Sequence, residues 1–173
     1  MGDGVQLLLR IWIPSLGALL SIVLGLAPMR DVLQCRRNKS LGKMNPDVFP
    51  LLFWNNVGWL IYAACTHDAF LFSSVLFTVL TGMFYVLTVY MLVESDAARR
   101  KIEVMMLTLL ALWSTVGFAA PQIADEELRN NLVGGMATLV ALLLFASPLS
   151  TMSTVIRVKS AASISLPFAL MQV

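Results

Sequence analysis

Residues 27–40 of the chain read APMRDVLQCRRNKS, and residues 147–160 read SPLSTMSTVIRVKS. Both segments have a proline at the second position and a Lys-Ser pair at the end. Pro28 and Pro148 are 120 residues apart, and one arginine and the two Lys-Ser pairs keep the same offset. The chain therefore contains an internal repeat.

The repeat continues upstream of the prolines, where small residues recur at helical spacing. At the same offset, Gly17, Ser21 and Gly25 correspond to Ala137, Ala141 and Phe145. Only the last of these pairs differs strongly in size. Periods of about 20 to 50 residues indicate solenoids. This longer period indicates that a whole helix bundle was duplicated, as is typical of transporters.

The composition predicts an integral membrane protein. Hydrophobic residues make up 58% of the chain, charged residues 13%, and the mean hydropathy is +0.81. Soluble domains carry about 25% charged residues. Charged residues divide the chain into five apolar runs, at 11–29, 48–66, 69–93, 104–124 and 130–156. Each run reaches the roughly 17 to 25 residues that a helix needs to cross a bilayer.

These runs are continuously apolar rather than alternating, so we expect helices and not barrel strands. The first run could instead be a signal peptide. It is longer than a usual signal-peptide core, however, and four more spans follow it. The sequence therefore predicts an all-α integral membrane protein with about five complete spans and part of a sixth.

The basic residues predict the orientation. Ten of the twelve Lys and Arg residues follow spans 1, 3 and 5, and only Arg10 and Arg129 lie on the other side. The positive-inside rule then places the N-terminus outside the cytosol. Basic loops beside spans indicate topology or contact with anionic lipid rather than nucleic-acid binding. Cys35 and Cys65 are predicted a bilayer apart, which excludes a disulfide between them.

Four spans separate the starts of the two copies, so both copies run in the same direction. We therefore predict parallel duplicated three-helix bundles joined by a connector helix. The expected divisions are a first bundle at 1–93, a connector span at 94–129, and an incomplete second bundle at 130–173.

Several motifs of the chain resemble those of the SWEET family of sugar facilitators, over nearly the whole length. They are Pro28 with Lys39-Ser40, Pro148 with Lys159-Ser160, Pro50 ahead of NNVGWLIY at 55–62, and SLPF at 165–168. The resemblance implies two three-helix bundles joined by a connector, seven spans in all. It also implies a sugar held at mid-membrane between the bundles.

Three residues of span 2 are candidates for the sugar site. Asn55, Trp59 and Tyr62 fall at i, i+4 and i+7, on one helical face. They offer an amide and an aromatic plane, and the resemblance places Tyr62 toward the outer gate. Val75 stands where the family carries an asparagine that hydrogen-bonds the sugar. Packing between helices is the alternative role for such residues, including the stripe of small and hydroxylated residues on span 3.

The prolines have two possible roles. Pro28 and Pro148 lack the N–H that would bond to the carbonyl four residues earlier, so we expect a kink at each. The resemblance implies that Pro28, Pro50, Pro148 and Pro167 are hinges for alternating access. A passive kink that only shapes the bundle is the alternative.

The chain stops at Val173, about ten residues into the expected span 6, which at 1.5 Å per residue reaches about halfway across the membrane core. We therefore expect an incomplete gene prediction, a fragment, or a short form that needs a partner.

The predicted function is bidirectional facilitated transport of a neutral mono- or disaccharide, because the spans contain no ionisable residue for coupling or for a charged cargo. No nucleophile lies beside a base or metal ligand, so no enzyme, metal site or cofactor is expected. One alternative is a non-transporting subunit that assembles with complete family members. Another is an amino acid carrier of the PQ-loop type, although Pro121-Gln122 is not at a repeat proline. The plasma membrane, or else an internal membrane, and a homo- or hetero-oligomer are expected.

Overall fold

A computed structural model describes the backbone of residues 8–158 and the side chains of residues 9–146. Regular structure in this part of the chain is entirely helical. After a π-helical turn at Leu8–Trp12, the helices α1 to α6 are Ile13–Leu26, Met29–Asn38, Val48–Thr66, Ala69–Leu92, Asp96–Ala119 and Glu126–Val158. A short 3-10 turn, Ala120–Gln122, lies between α5 and α6.

Five helical segments are long and apolar enough to span a membrane. They are Leu9–Asn38, Val48–Thr66, Ala69–Leu92, Asp96–Gln122 and Glu126–Ala146. The all-α integral membrane fold predicted from the sequence is confirmed. The first segment continues past the predicted run at 11–29, because charged side chains at a helix end can reach water without ending the helix.

Pro28 marks the boundary between α1 and α2. Helix α1 ends at Leu26, and the buried Pro28 directly precedes α2. Its missing N–H leaves the Leu24 carbonyl without its usual donor. The Ala27 N–H bonds to that carbonyl instead, at 3.2 Å. The kink expected at Pro28 is therefore an interruption of the helical hydrogen bonds, which divides α1 from α2 although Ala27 and Pro28 keep right-handed helical dihedral angles. We call this interruption the break at Pro28.

The other prolines lie in different local structures. Helix α6 continues through Pro148 without interruption, so the kink expected there does not break the helix. Pro50 is fully buried in the first turn of α3. An N–H in a first turn has no partner within the helix, so proline is tolerated at that position. Pro167 lies outside the described residues.

Helix α3 is the centre of the described bundle. It packs against α4, α5 and α6, while α1 packs against α4. In an 18-residue apolar stretch of α3, 39% of the residues are buried. In the first membrane-spanning segment, Leu9–Asn38, the corresponding share is 6%, and its exposed leucines and valines suit contact with lipid. The core consists of Val32, Phe49, Phe53, Trp54, Tyr85, Val86, Val89, Val93, Ile102, Trp113, Ala137 and Val140.

The charges separate into two ends of the bundle. We call residues 30–47 and 93–101 the basic end, and residues 66–69 and 120–129 the acidic end. At the basic end, an ion pair between Lys101 and Asp47 joins the start of α5 to the start of α3. At the acidic end, α3 and α4 are joined only by His67 and Asp68, and the Asp68 side chain caps α4.

Two sequence boundaries compare as follows. Helix α4 ends at Leu92, next to the predicted end of the first bundle at 93. The predicted division at 129/130 falls inside the first turn of α6, which begins at Glu126. Cys35 and Cys65 are both free thiols, as predicted.

Candidate functional site

Helix α3 presents one face to α5. The Trp54 indole donates to the Met106 sulfur at 3.2 Å. One turn further along, Gly58 lies directly under the Trp113 ring, and a side chain at Gly58 would overlap that ring. Trp113 is only 2% exposed. Helix α5 is therefore closely packed on α3, and a glycine permits this approach.

A second face of α3 meets α4. The Asn56 amide donates to the Thr78 carbonyl at 3.5 Å. A Cβ at Gly82 would lie 3.4 Å from the Phe53 Cα, so the two backbones approach closely there. Asn56 therefore takes part in packing between helices, as expected for polar residues in lipid.

The third face of α3 meets α6, and it carries the three predicted site residues. A Cβ at Gly134 of α6 would lie 3.0 Å from the Tyr62 ring, so the two residues are in close contact. Trp59 meets Tyr62 edge to face, with ring centroids 5.6 Å apart. Asn55 is seven residues before Tyr62, nearly two full turns, so it lies on the same face.

The side-chain oxygen of Asn55 is buried and has no hydrogen-bond partner. A buried acceptor without a donor costs about 1–3 kcal/mol. Such a cost is explained by a polar ligand or water that supplies the donor. On this face, Asn55 therefore has a buried acceptor that lacks a donor.

Val75 is buried in α4, at 6% exposure. Its carbonyl accepts from the Thr78 hydroxyl at 2.9 Å. The hydroxyls of Ser74 and Thr81 likewise bond to carbonyls of their own helix. These hydroxyls are therefore already satisfied within α4, which favours the packing role for the stripe on span 3.

Two further polar contacts between helices were also not predicted from the sequence. The Tyr85 hydroxyl donates to the Gly25 carbonyl at 2.8 Å, which links α4 to the end of α1. Arg129 donates to the Cys65 carbonyl at 3.3 Å, which links α6 to the end of α3. The isolated position of Arg129 among acidic residues was the only sequence signal for the second contact.

No three His, Cys, Asp or Glu side chains in residues 9–146 converge as metal ligands would. Pro121-Gln122, considered for a PQ-loop carrier, forms the short turn between α5 and α6.

Comparison with known proteins gives a consistent result. A family model described as "Sugar efflux transporter for intercellular exchange" matches residues 12–97. Bidirectional sugar transporter SWEET14 of Arabidopsis thaliana is 27% identical over 150 residues, covering 84% of this chain and 52% of that protein. Bidirectional sugar transporter SWEET13 of the same plant is 28% identical over 150 residues, covering 84% and 50%.

The fold agrees with these matches. The 3.7 Å resolution structure of a eukaryotic SWEET transporter superposes with a TM-score of 0.70 at 20% identity, covering 91% of this chain and 77% of that chain. The chain spans about half the length of the two curated relatives. The resemblance to SWEET sugar transporters inferred from the repeated proline and Lys-Ser segments is thereby confirmed, by the MtN3/SWEET family model over residues 12–97 and by the shared fold.

Proposed function

We propose that the chain takes part in facilitated, bidirectional transport of a neutral mono- or disaccharide, and that the sugar binds between α3 and α6. The observation that carries this proposal is the buried, unpartnered oxygen of Asn55. A sugar hydroxyl is a donor of the right kind for that oxygen. In its absence the amide keeps the cost of an unsatisfied buried acceptor.

The aromatic residues of the same face support a sugar as ligand. Trp59 is half-buried, so part of its ring is available to a ligand beside Asn55. The C–H groups of a sugar ring pack against an aromatic plane, while the hydroxyls bond to amides. Tyr62, nearer the acidic end and packed on Gly134, is then the candidate outer gate.

The charge distribution supports an uncharged cargo. Helices α3 and α4 contain no Asp, Glu, Lys, Arg or His between Val48 and Thr66 or between Ala69 and Leu92. Carriers of ions and charged solutes usually keep an ionisable residue in the membrane. The basic end then lies in the cytosol by the positive-inside rule, with the N-terminus outside, and we place the protein in the plasma membrane.

The proline hinges are part of this proposal. Pro28 already separates two helices, and Pro50 lies in the first turn of α3. Together with Pro148 and Pro167 they would let helix segments at the basic end move during alternating access. The rest of the bundle, toward the acidic end, would keep its packing.

A second candidate function rests on Val75. This buried valine stands where the resemblance places a sugar-binding asparagine, and an apolar side chain cannot replace an amide there. A subunit that assembles with complete family members, and modulates them without transporting sugar itself, would tolerate such a change. Under this proposal the chain forms homo-oligomers, or hetero-oligomers with other family members.

Uptake measurements separate the two candidates. Cells without their own sugar uptake would express the chain alone, and labelled glucose, sucrose and arginine would be supplied. Transport predicts sugar uptake that Asn55→Leu removes at equal surface expression. Asn131→Leu, an exposed asparagine of α6, is the matched control and should leave uptake unchanged.

If the chain alone moves no sugar, it would be expressed together with SWEET14. A changed rate of sugar uptake then identifies the modulating subunit. Arginine uptake without sugar uptake would contradict both candidates and favour the amino acid carrier. No effect in either experiment would refute the proposed function.

A further inference from the structure

The break at Pro28 leaves carbonyl groups at the end of α1 that need donors from elsewhere. The last four carbonyls of any α-helix have no partner within the helix. Because α1 ends at Leu26, the Gly25 carbonyl is one of these four. In lipid there is no water to satisfy such a group, so a protein donor must do so.

The donor comes from α4. The Tyr85 hydroxyl bonds to the Gly25 carbonyl at 2.8 Å, across 60 residues of sequence. Tyr85 is 1% exposed, and its ring packs edge to face against Phe49, with centroids 6.1 Å apart. A tyrosine held in this way has little freedom to leave Gly25.

The same glycine also contacts a second residue of α4. A side chain at Gly25 would overlap the methyl group of Thr78, so the α1 backbone rests directly on that residue. Thr78 and Tyr85 are seven residues apart, nearly two turns, and therefore lie on one face of α4. Helix α4 thus contacts Gly25 through both a methyl group and a hydroxyl group.

We propose that Tyr85 is a positioning residue for the hinge at Pro28. By fixing the last turn of α1 on α4, its hydroxyl confines movement at the break to α2 and the basic end. The inference rests on the proposed transport function, because a hinge is useful only if α2 moves during the transport cycle. The bond itself can be tested without transport.

The sequence offers a specific probe for the bond. Gly25-Leu26 is the only Gly-Leu step among the ten glycines of the chain. The full chain, labelled with ¹³C-carbonyl glycine and ¹⁵N-leucine in lipid nanodiscs, should therefore give a single amide-carbonyl cross-peak, which reports on the Gly25 carbonyl. Tyr85→Phe keeps the ring and removes the hydroxyl, so the carbonyl resonance should move upfield.

Tyr90→Phe is the matched control, because the Tyr90 hydroxyl bonds to Glu103 at the basic end and not to α1. It should leave the cross-peak in place. Pro28→Ala is a second variant, in which Met29 N–H can reach the Gly25 carbonyl in a continuous helix. In that background Tyr85→Phe should move the peak much less. A cross-peak unchanged by Tyr85→Phe would overturn the proposal.

The rate at which a reagent modifies Cys35 measures the movement of α2. Cys35 lies in α2 and is half-buried, so an impermeant maleimide at the basic end should modify it slowly in the Cys65→Ser chain. Tyr85→Phe should raise that rate severalfold, and Tyr90→Phe should not. An unchanged rate with a shifted cross-peak would show that the bond exists but does not restrain α2, which also overturns the proposal.

Sugar uptake supplies the third readout. In a chain that transports, Tyr85→Phe should lower the maximal rate several-fold and leave KM unchanged, because the hydroxyl does not touch the proposed sugar site. A changed KM with an unchanged maximal rate would contradict a positioning role. If the wild-type chain moves no sugar, the proposed transport by the chain alone fails, while the cross-peak and the Cys35 rate still decide the role of Tyr85.

Discussion

The helices that begin the two repeat copies make very different contacts. Helix α1 meets α4 through an interface whose polar groups are paired, with Tyr85 bonded to the Gly25 carbonyl. Helix α6 meets α3 through an interface that leaves the Asn55 oxygen unpaired. The α1–α4 interface therefore has the character of a fixed structural joint. The α3–α6 interface is the one that we propose for the sugar.

The two repeat prolines show the same contrast. Both lack an N–H, yet α1 breaks at Pro28 and α6 continues through Pro148. A proline alone therefore does not determine whether its helix is interrupted. At Pro28, α4 supplies a donor that lowers the free-energy cost of the break.

The largest expected effect compares the prolines directly. Proline inside a continuous helix costs about 3 kcal/mol, so Pro148→Ala should raise the free energy of unfolding by up to about that amount. Pro28→Ala should raise it by less than about 1 kcal/mol, because the break already accommodates that proline. Thermal unfolding of both variants in detergent measures the difference.

Equal gains for the two proline variants would remove the contrast between the two copies. If the chain transports sugar, uptake measurements provide a second test of the two proline variants. A hinge role predicts that Pro28→Ala slows uptake even though it does not destabilise the protein.

The next prediction concerns Gly25 and Phe145, the corresponding repeat residues whose side chains differ strongly in size. Gly25→Val should destabilise the protein by about 1–3 kcal/mol, because the added methyl groups would overlap Thr78. Phe145→Val is the matched change at the corresponding position of α6, where the phenylalanine is exposed. It should stay within about 0.5 kcal/mol of the wild type.

The unpaired Asn55 oxygen at the α3–α6 interface can be tested by measuring stability as well as uptake. Asn55→Leu removes a buried oxygen without a partner, so it should raise the free energy of unfolding by about 1 kcal/mol. A variant that is more stable but does not transport is the pattern expected at a functional site. A destabilised Asn55→Leu protein would instead indicate that the amide is structural.

The smallest effect compares two adjacent glycines of α6. Alanine improves helix propensity by up to about 1 kcal/mol, and a methyl group added at Gly135 would have no atom within 4 Å. At Gly134 the same methyl group would press on the Tyr62 ring. Gly135→Ala should therefore be stabilising, and Gly134→Ala should lose most of that gain. Thermal unfolding compares the two variants, and equal gains would show that Tyr62 does not pack tightly on α6.

Much of the fold was predictable because charge and hydropathy act locally. The apolar runs at 48–66 and 69–93 correspond closely to α3 and α4, since helices in lipid must satisfy their own backbone. The spacing of Trp59 and Tyr62 likewise agrees with their edge-to-face contact on one side of α3. Helical periodicity is sufficient for that inference.

Contacts between helices were not predictable in the same way. Nothing in the local sequence distinguishes Asn56, which bonds to α4, from Asn55, whose oxygen has no partner. The pairing of Tyr85 with Gly25 depends on how two distant segments meet.

The two-residue turn of His67 and Asp68 bears on how the protein is made. Helices α3 and α4 form a tight hairpin, so we expect them to leave the translocation machinery and enter the bilayer together rather than one by one. Asn56 would then meet the Thr78 carbonyl as soon as it reaches the hydrocarbon. That bond would lower the free-energy cost of inserting Asn56 into the membrane during synthesis.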